Sequence, residues 1–73
     1  MTSILNLYGY KINDTTNIIE SFISDQILFG TKKIEIITGD SKVVKGVVKK
    51  VVENFGLECK NHIYNKQVLI ISL

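Results

Sequence analysis

The stretch Ile34-Glu35-Ile36-Ile37-Thr38-Gly39-Asp40-Ser41-Lys42-Val43-Val44-Lys45 decides the fold. Its opening Ile34-Glu35-Ile36-Ile37 is apolar and β-branched apart from Glu35, which suits a buried strand. Gly39 permits a sharp turn, and Asp40 or Ser41 can cap the free amides of a helix starting at Lys42. The reading is strand, glycine turn, helix. Such a junction gathers polar groups at the carboxyl end of a strand, where open α/β sheets bind ligands. It is the first place to look for a site.

Downstream, the spacing predicts a helix from about Lys42 to Phe55. Val43, Val44, Val47, Val48, Val51, Val52 and Phe55 fall on one face, and Lys42, Lys45, Lys49 and Glu53 on the other. Valine is a poor helix former, so burial must hold this helix, and Gly46 on its polar side costs ~1 kcal/mol against alanine. Gly56 ends it. Leu57 to Tyr64 alternates apolar and polar residues, the mark of a half-exposed edge strand. Asn65-Lys66 reads as a tight hairpin turn into Gln67 to Leu73. The run Val68-Leu69-Ile70-Ile71 is apolar on both faces and belongs inside the sheet, with the preceding strand outside it.

Upstream, Ile4 to Tyr8 reads as the first strand, ended by Gly9. Tyr10, Lys11 and Ile12 cross to a helix capped by Asn13 or Asp14, with Ile12 as hydrophobic staple. From Thr15 to Phe29, the residues Ile18, Ile19, Phe22, Ile23 and Phe29 share one arc at ~100° per residue, widened by Ile27 and Leu28. Gln26 lies inside that arc, and solvation at the helix edge is the simplest way to satisfy its amide. Gly30 stands where a left-handed cap is expected. The order is βαβαββ. Right-handed crossovers then give an α/β chain of the α+β two-layer sandwich type, a four-stranded mixed sheet with two helices on one face.

With 73 residues, the chain has room for one domain, spanning 1–73, and one core. No run approaches the ~20 apolar residues that cross a membrane. Met1-Thr2-Ser3 lacks the basic region and cleavage site of a signal peptide, so a cytoplasmic location is expected. The methionine start and a strand ending at Leu73 lead us to expect a complete domain. Cys59 is the one cysteine and His62 the one histidine. They exclude an internal disulfide and leave metal binding only to a pair shared across a dimer, so no metal site and no cofactor is expected. All nine basic residues are lysine, against seven acids. A chain without arginine has no bidentate fork for guanine edges or phosphates. Any nucleic-acid contact must come from lysines, amides and hydroxyls, with little sequence preference.

The pattern Leu5-Asn6-Leu7-Tyr8-Gly9, an amphipathic helix ending at Gly30, Lys33-Ile34-Glu35-Ile36-Ile37-Thr38-Gly39 and a second amphipathic helix resembles the small MutS-related (Smr) domain. The likeness runs without a gap from Leu5 to Gly39 and in outline to Leu73, carried mostly by spacing and apolar pattern. It implies the βαβαββ fold of the C-terminal domain of translation initiation factor three and a nucleic-acid-binding role, with endonuclease activity in some members. The family's first motif is leucine-aspartate-any-histidine-glycine. Leu5 and Gly9 match it, while Asn6 stands at the aspartate position and Tyr8 at the histidine position. In the second motif Thr38 and Gly39 match, and Ser41 replaces the last glycine.

These departures bear on catalysis. Metal-assisted cleavage needs a carboxylate on the cation, and metal-free cleavage usually needs an imidazole or carboxylate to move protons. An amide at Asn6 is neither, and a phenol ordinarily titrates near ~10. Asp40 is the one acid in the expected site and the one weak catalytic candidate, though an acid in that place is more often a cap. Binding asks less. The amino end of the second helix can hold a phosphate, with Ser41, Lys42 and Lys45 near it, and Tyr8 can stack on a base. The resemblance thus points to Asn6, Tyr8, Thr38, Gly39, Asp40, Ser41, Lys42 and Lys45 as a surface for DNA or RNA on a catalytically degenerate module. The alternative is an interaction module, a homodimer or a complex with another protein, joined through the edge strand Leu57 to Tyr64. A third reading is residual nuclease activity through Asp40 and a metal, which unchanged cleavage by Asp40→Ala would remove.

Overall fold

The computed structural model describes residues 2–73. Along the chain come β1 (Thr2–Asn6), α1 (Ile12–Leu28), β2 (Lys33–Ile37), α2 (Lys42–Asn54), β3 (Glu58–Asn61) and β4 (Val68–Ser72). The strands form one four-stranded sheet in the order β1-β2-β4-β3. β1 is parallel to β2, and β4 is antiparallel to both β2 and β3. This is the expected mixed βαβαββ sheet. β4 lies inside it because Val68, Leu69 and Ile71 are buried and Ile70 half-buried, whereas β3 carries exposed Glu58 and Lys60 to the edge.

Register explains the layers. Ile34 pairs with Ile71 and Ile36 with Leu69, so these side chains share one face of the pleat. All four are fully buried, in one cluster with Ile19 and Ile23 of α1 and Val48, Val51 and Val52 of α2. Both helices therefore cover the same face. Each such side chain contributes about 1.5–3 kcal/mol by leaving water, which offsets the low helix propensity of the valines in α2. The helices end alike. Gly30 donates to Ile27 O and Thr31 N to Gln26 O, and Gly56 donates to Glu53 O and Leu57 N to Val52 O. This pairing of carbonyls with the two residues past the cap ends each helix at the expected glycine.

Several boundaries differ from the sequence reading. Helix α1 starts at Ile12, with Lys11 at the cap position and no side-chain cap, so neither Asn13 nor Asp14 serves as cap. Thr15 accounts for the extra turn. It is fully buried, and its hydroxyl donates to Ile12 O at 2.7 Å, fixing helical geometry ahead of it. Ile12 is consequently an exposed first-turn residue and not a staple. Ile27, Leu28 and Phe29 do not widen the buried face, and all three are exposed. Leu28 points ~180° from Ile19 at ~100° per residue, and Phe29 is already the C-cap. Val43, in the first turn of α2, is exposed as well. Gln26 is half-buried and accepts from Thr31 Oγ1 at 2.7 Å, so its amide has a protein partner.

The edges of the sheet also shift. β1 ends at Asn6, because Asn6 Oδ1 takes the amide of Tyr8 at 2.9 Å and turns the chain out of the ladder. β3 ends at Asn61, and residues 62–67 form a loop in place of a tight Asn65-Lys66 turn. His62 Nδ1 accepts the amides of Tyr64 and Asn65, each at 3.1 Å, so side chain replaces strand pairing there.

Candidate functional site

The carboxyl ends of the parallel strands β1 and β2 meet at one corner of the sheet. Leu7 N donates to Ile37 O at 3.0 Å, the last rung between them. Beyond it the turn set by Asn6 lays the Tyr8 ring across Gly39. A Cβ built on Gly39 would stand 2.9 Å from Tyr8 Cε1, and the backbone there has φ +69°. Glycine is thus required twice over, for the left-handed backbone and for the close approach of the ring.

Gln67 ties the corner together. Its carbonyl accepts the amides of Thr38 at 2.8 Å and Gly39 at 3.2 Å. Its Oε1 accepts from Tyr8 OH at 2.9 Å, and its Nε2 donates to Asp40 Oδ2 at 3.2 Å. The sequence reading missed Gln67 as a site residue. The signal was present in the topology, because β4 antiparallel to β2 carries the Ile37–Val68 pairing one step on to Thr38 and Gln67.

The expected site residues divide into three groups. Tyr8, Gly39 and Asp40 come together around Gln67, with Asn6 behind them holding the turn. Thr38 is buried, its hydroxyl shared between Gly39 O at 3.0 Å and Gln67 O at 3.2 Å, and so faces away from any ligand. Ser41 caps α2, its Oγ accepting Val44 N at 3.2 Å, which leaves Asp40 as a partner of Gln67 and not a cap. Lys42 and Val43 then present the first-turn amides that an α-helix cannot satisfy internally. No acidic residue lies in the first turn of α2, although exposed Asp40 directly precedes its cap. The side chain of Lys45, one turn further, lines a groove of about 420 Å³ with Asn61, His62, Ile63 and Lys66.

Tyr8 is 58% exposed and not a core aromatic. The corner therefore offers a ring face, two amides and lysine ammonium groups to an anion with planar parts. A larger hollow of about 460 Å³ lies at the other end of the sheet, lined by Ser3, Gln26, Phe29, Gly30, Thr31 and Lys32. It carries a single lysine and no helix amino end, and the corner at α2 is the better-equipped surface. Among the described residues no group of three or more His, Cys, Asp or Glu could hold a metal ion. Cys59 on β3 is half-buried. Burial pushes its thiol pKa above the ordinary 9.0, with Lys49 acting in the opposite direction. No helix is long and apolar enough to cross a membrane among the described residues.

Fold and site together describe a small α+β sandwich with a cationic, aromatic corner at a helix amino end. Comparison of the chain with protein-family models, curated proteins and solved structures finds no significant match.

Proposed function

We propose that this protein is a nucleic-acid-binding module, similar in plan to the Smr domain, that holds a phosphate backbone without cleaving it. The observation that carries the reading is the corner itself. The first-turn amides of α2 and Lys42 follow directly on the turn at Gly39 against which the Tyr8 ring lies, Lys45 stands one turn on, and Gln67 holds both Tyr8 OH and Oδ2 of Asp40. A phosphate at the amides gains from the helix dipole as well as from the lysines. The βαβαββ order and the match at Leu5, Gly9, Thr38 and Gly39 support the kinship, and Asn6 and Tyr8 support the loss of cleavage.

An amide NMR titration with a short oligonucleotide tests this. Shifts are expected at Tyr8, Lys42, Val43 and Lys45. Two lysines on two phosphates give a slope of about −1.4 in log K against log salt for a single strand, or about sevenfold weaker binding at 200 mM than at 50 mM. Binding insensitive to salt, or shifts confined to the open face of the sheet around Ile4 and Ile70, would overturn it.

A further inference from the structure

The loop of residues 62–67 is built unlike a passive connection. His62 Nδ1 holds the amides of Tyr64 and Asn65, Asn65 Oδ1 holds Gln67 N at 2.9 Å, and His62 N donates to Val68 O at 3.2 Å. The backbone is thus fixed by its own side chains while Ile63 and Tyr64 stand 85% and 92% exposed. Tyr64 is also steadied by the His62 ring, edge-on with centroids 6.4 Å apart. An ordered loop that offers an unused aromatic face is a stacking platform.

Its position gives the platform a ligand. The groove beneath the loop is flanked by Lys45 from α2 and Lys66 from the loop. Lys66 is followed by Gln67, whose side chain holds Tyr8 and Asp40 at the corner. Lysines therefore run from Lys42 at the amino end of α2 to Lys45 and Lys66 in the groove, whose wall includes Ile63, the neighbour of Tyr64, while Tyr8 is joined to Gln67, the residue after Lys66. Bases in a duplex are stacked on each other and cannot reach such rings, and the chain has no arginine to read base edges in a groove. We infer that the ligand is a single strand, its phosphates passing from the helix end along the Lys45–Lys66 groove and its bases stacking on Tyr64 and Tyr8. The inference rests on the nucleic-acid reading above and narrows it to one class of substrate.

The test is fluorescence anisotropy with labelled ten-nucleotide thymidine and uridine strands and a ten-base-pair duplex, at two salt concentrations. The single strands are expected to bind at least about tenfold more tightly than the duplex. Tyr64→Ala is expected to weaken single-strand binding by about fivefold or more, with Tyr64→Phe near wild type, because stacking needs the ring and not the hydroxyl. Lys66→Ala is expected to lower the single-strand salt slope by about 0.7. Both positions are exposed, and unchanged amide spectra elsewhere show that the fold is intact. Equal affinity for duplex and single strand, with Tyr64→Ala silent, overturns the inference and leaves the nucleic-acid reading standing. No binding of any probe at low salt overturns both. Concentration-dependent broadening at Ile63 and Tyr64 without nucleic acid would make the loop a protein contact and would also overturn the inference.

Discussion

Replacing Gly39 with alanine puts the geometry of the corner to a quantitative test. At φ +69° a Cβ costs about 1–2 kcal/mol by backbone strain alone. The same Cβ meets Tyr8 Cε1 at 2.9 Å, Tyr8 OH at 3.1 Å and Tyr8 Cζ at 3.3 Å. Those atoms are the far end of a partly exposed side chain, so the ring swings away and the backbone stays. What is lost is the hydrogen bond from Tyr8 OH to Gln67, about 0.5–1.5 kcal/mol. Gly39→Ala should therefore cost about 2–3 kcal/mol in urea unfolding, with the midpoint lowered and the slope unchanged. In a Tyr8→Ala background the ring term vanishes, and the same change should cost only the strain of about 1–2 kcal/mol. Gly9→Ala is the control, since its φ is +86° with nothing within 4 Å of the added Cβ. Equal costs for Gly39→Ala with and without the tyrosine ring would refute the contact between Tyr8 and Gly39.

Three further outcomes can be checked directly. Asp40→Asn keeps an acceptor for Gln67 and removes a negative charge. For a phosphate at the α2 amides, taking a separation of about 6 Å in water, that charge would cost ~0.7 kcal/mol, so the variant should bind oligonucleotides about threefold more tightly at low salt; weaker binding would mean that Asp40 contacts the ligand favourably. His62 should carry its proton on Nε2, since Nδ1 accepts two amides; a long-range ¹H–¹⁵N spectrum reads the tautomer, and His62→Ala should speed amide exchange at Tyr64 and Asn65. For Cys59, a folded-state pKa above the ordinary 9.0 means that its contribution to stability is complete below that pH and fades as pH rises through the folded value. The stability gap between wild type and Cys59→Ala should narrow above that pH, and a gap that widens would contradict burial of the thiol.

The fold was legible where one physical demand acted alone. Two-sided apolarity at Val68 to Ile71 could only be met inside the sheet, and Gly30 and Gly56 had one geometric use each at a helix end. Reading failed where two demands met. Asn13 and Asp14 are good caps, but burial of Thr15 carried α1 back to Ile12. Tyr8 continues the strand pattern of Ile4 to Tyr8, but Asn6 claims its amide. His62 likewise fits the alternation of β3, yet its imidazole captures two backbone amides and starts a loop. In each case a side chain supplied the hydrogen bond that decided the backbone. Periodicity does not register such bonds. The corner at the end of β2 was legible as a place, and the residue that ties it together was not, because Gln67 acts through a partner strand distant in sequence.

That same network bears on the proposal that the corner holds a ligand without cutting it. A general base needs a lone pair aimed outward, yet Asn6 Oδ1 faces the Tyr8 amide, Tyr8 OH points at Gln67, and Asp40 Oδ2 is held by Gln67 Nε2. Each of these groups is oriented by a neighbour in the chain. The groups left facing outward are lysine ammoniums, two helix amides and the faces of Tyr8 and Tyr64, which attract phosphates and bases, together with exposed Asp40, whose Oδ2 alone is held by Gln67. The hydrogen bonds that organise the corner also hold the Tyr8 ring against Gly39, so Asn6 and Tyr8, the two positions at which the chain departs from the first motif of the Smr pattern it resembles, are the ones that fix the ring in place. Under the proposed function, Asn6 and Tyr8 shape the surface while supplying neither a carboxylate nor an imidazole.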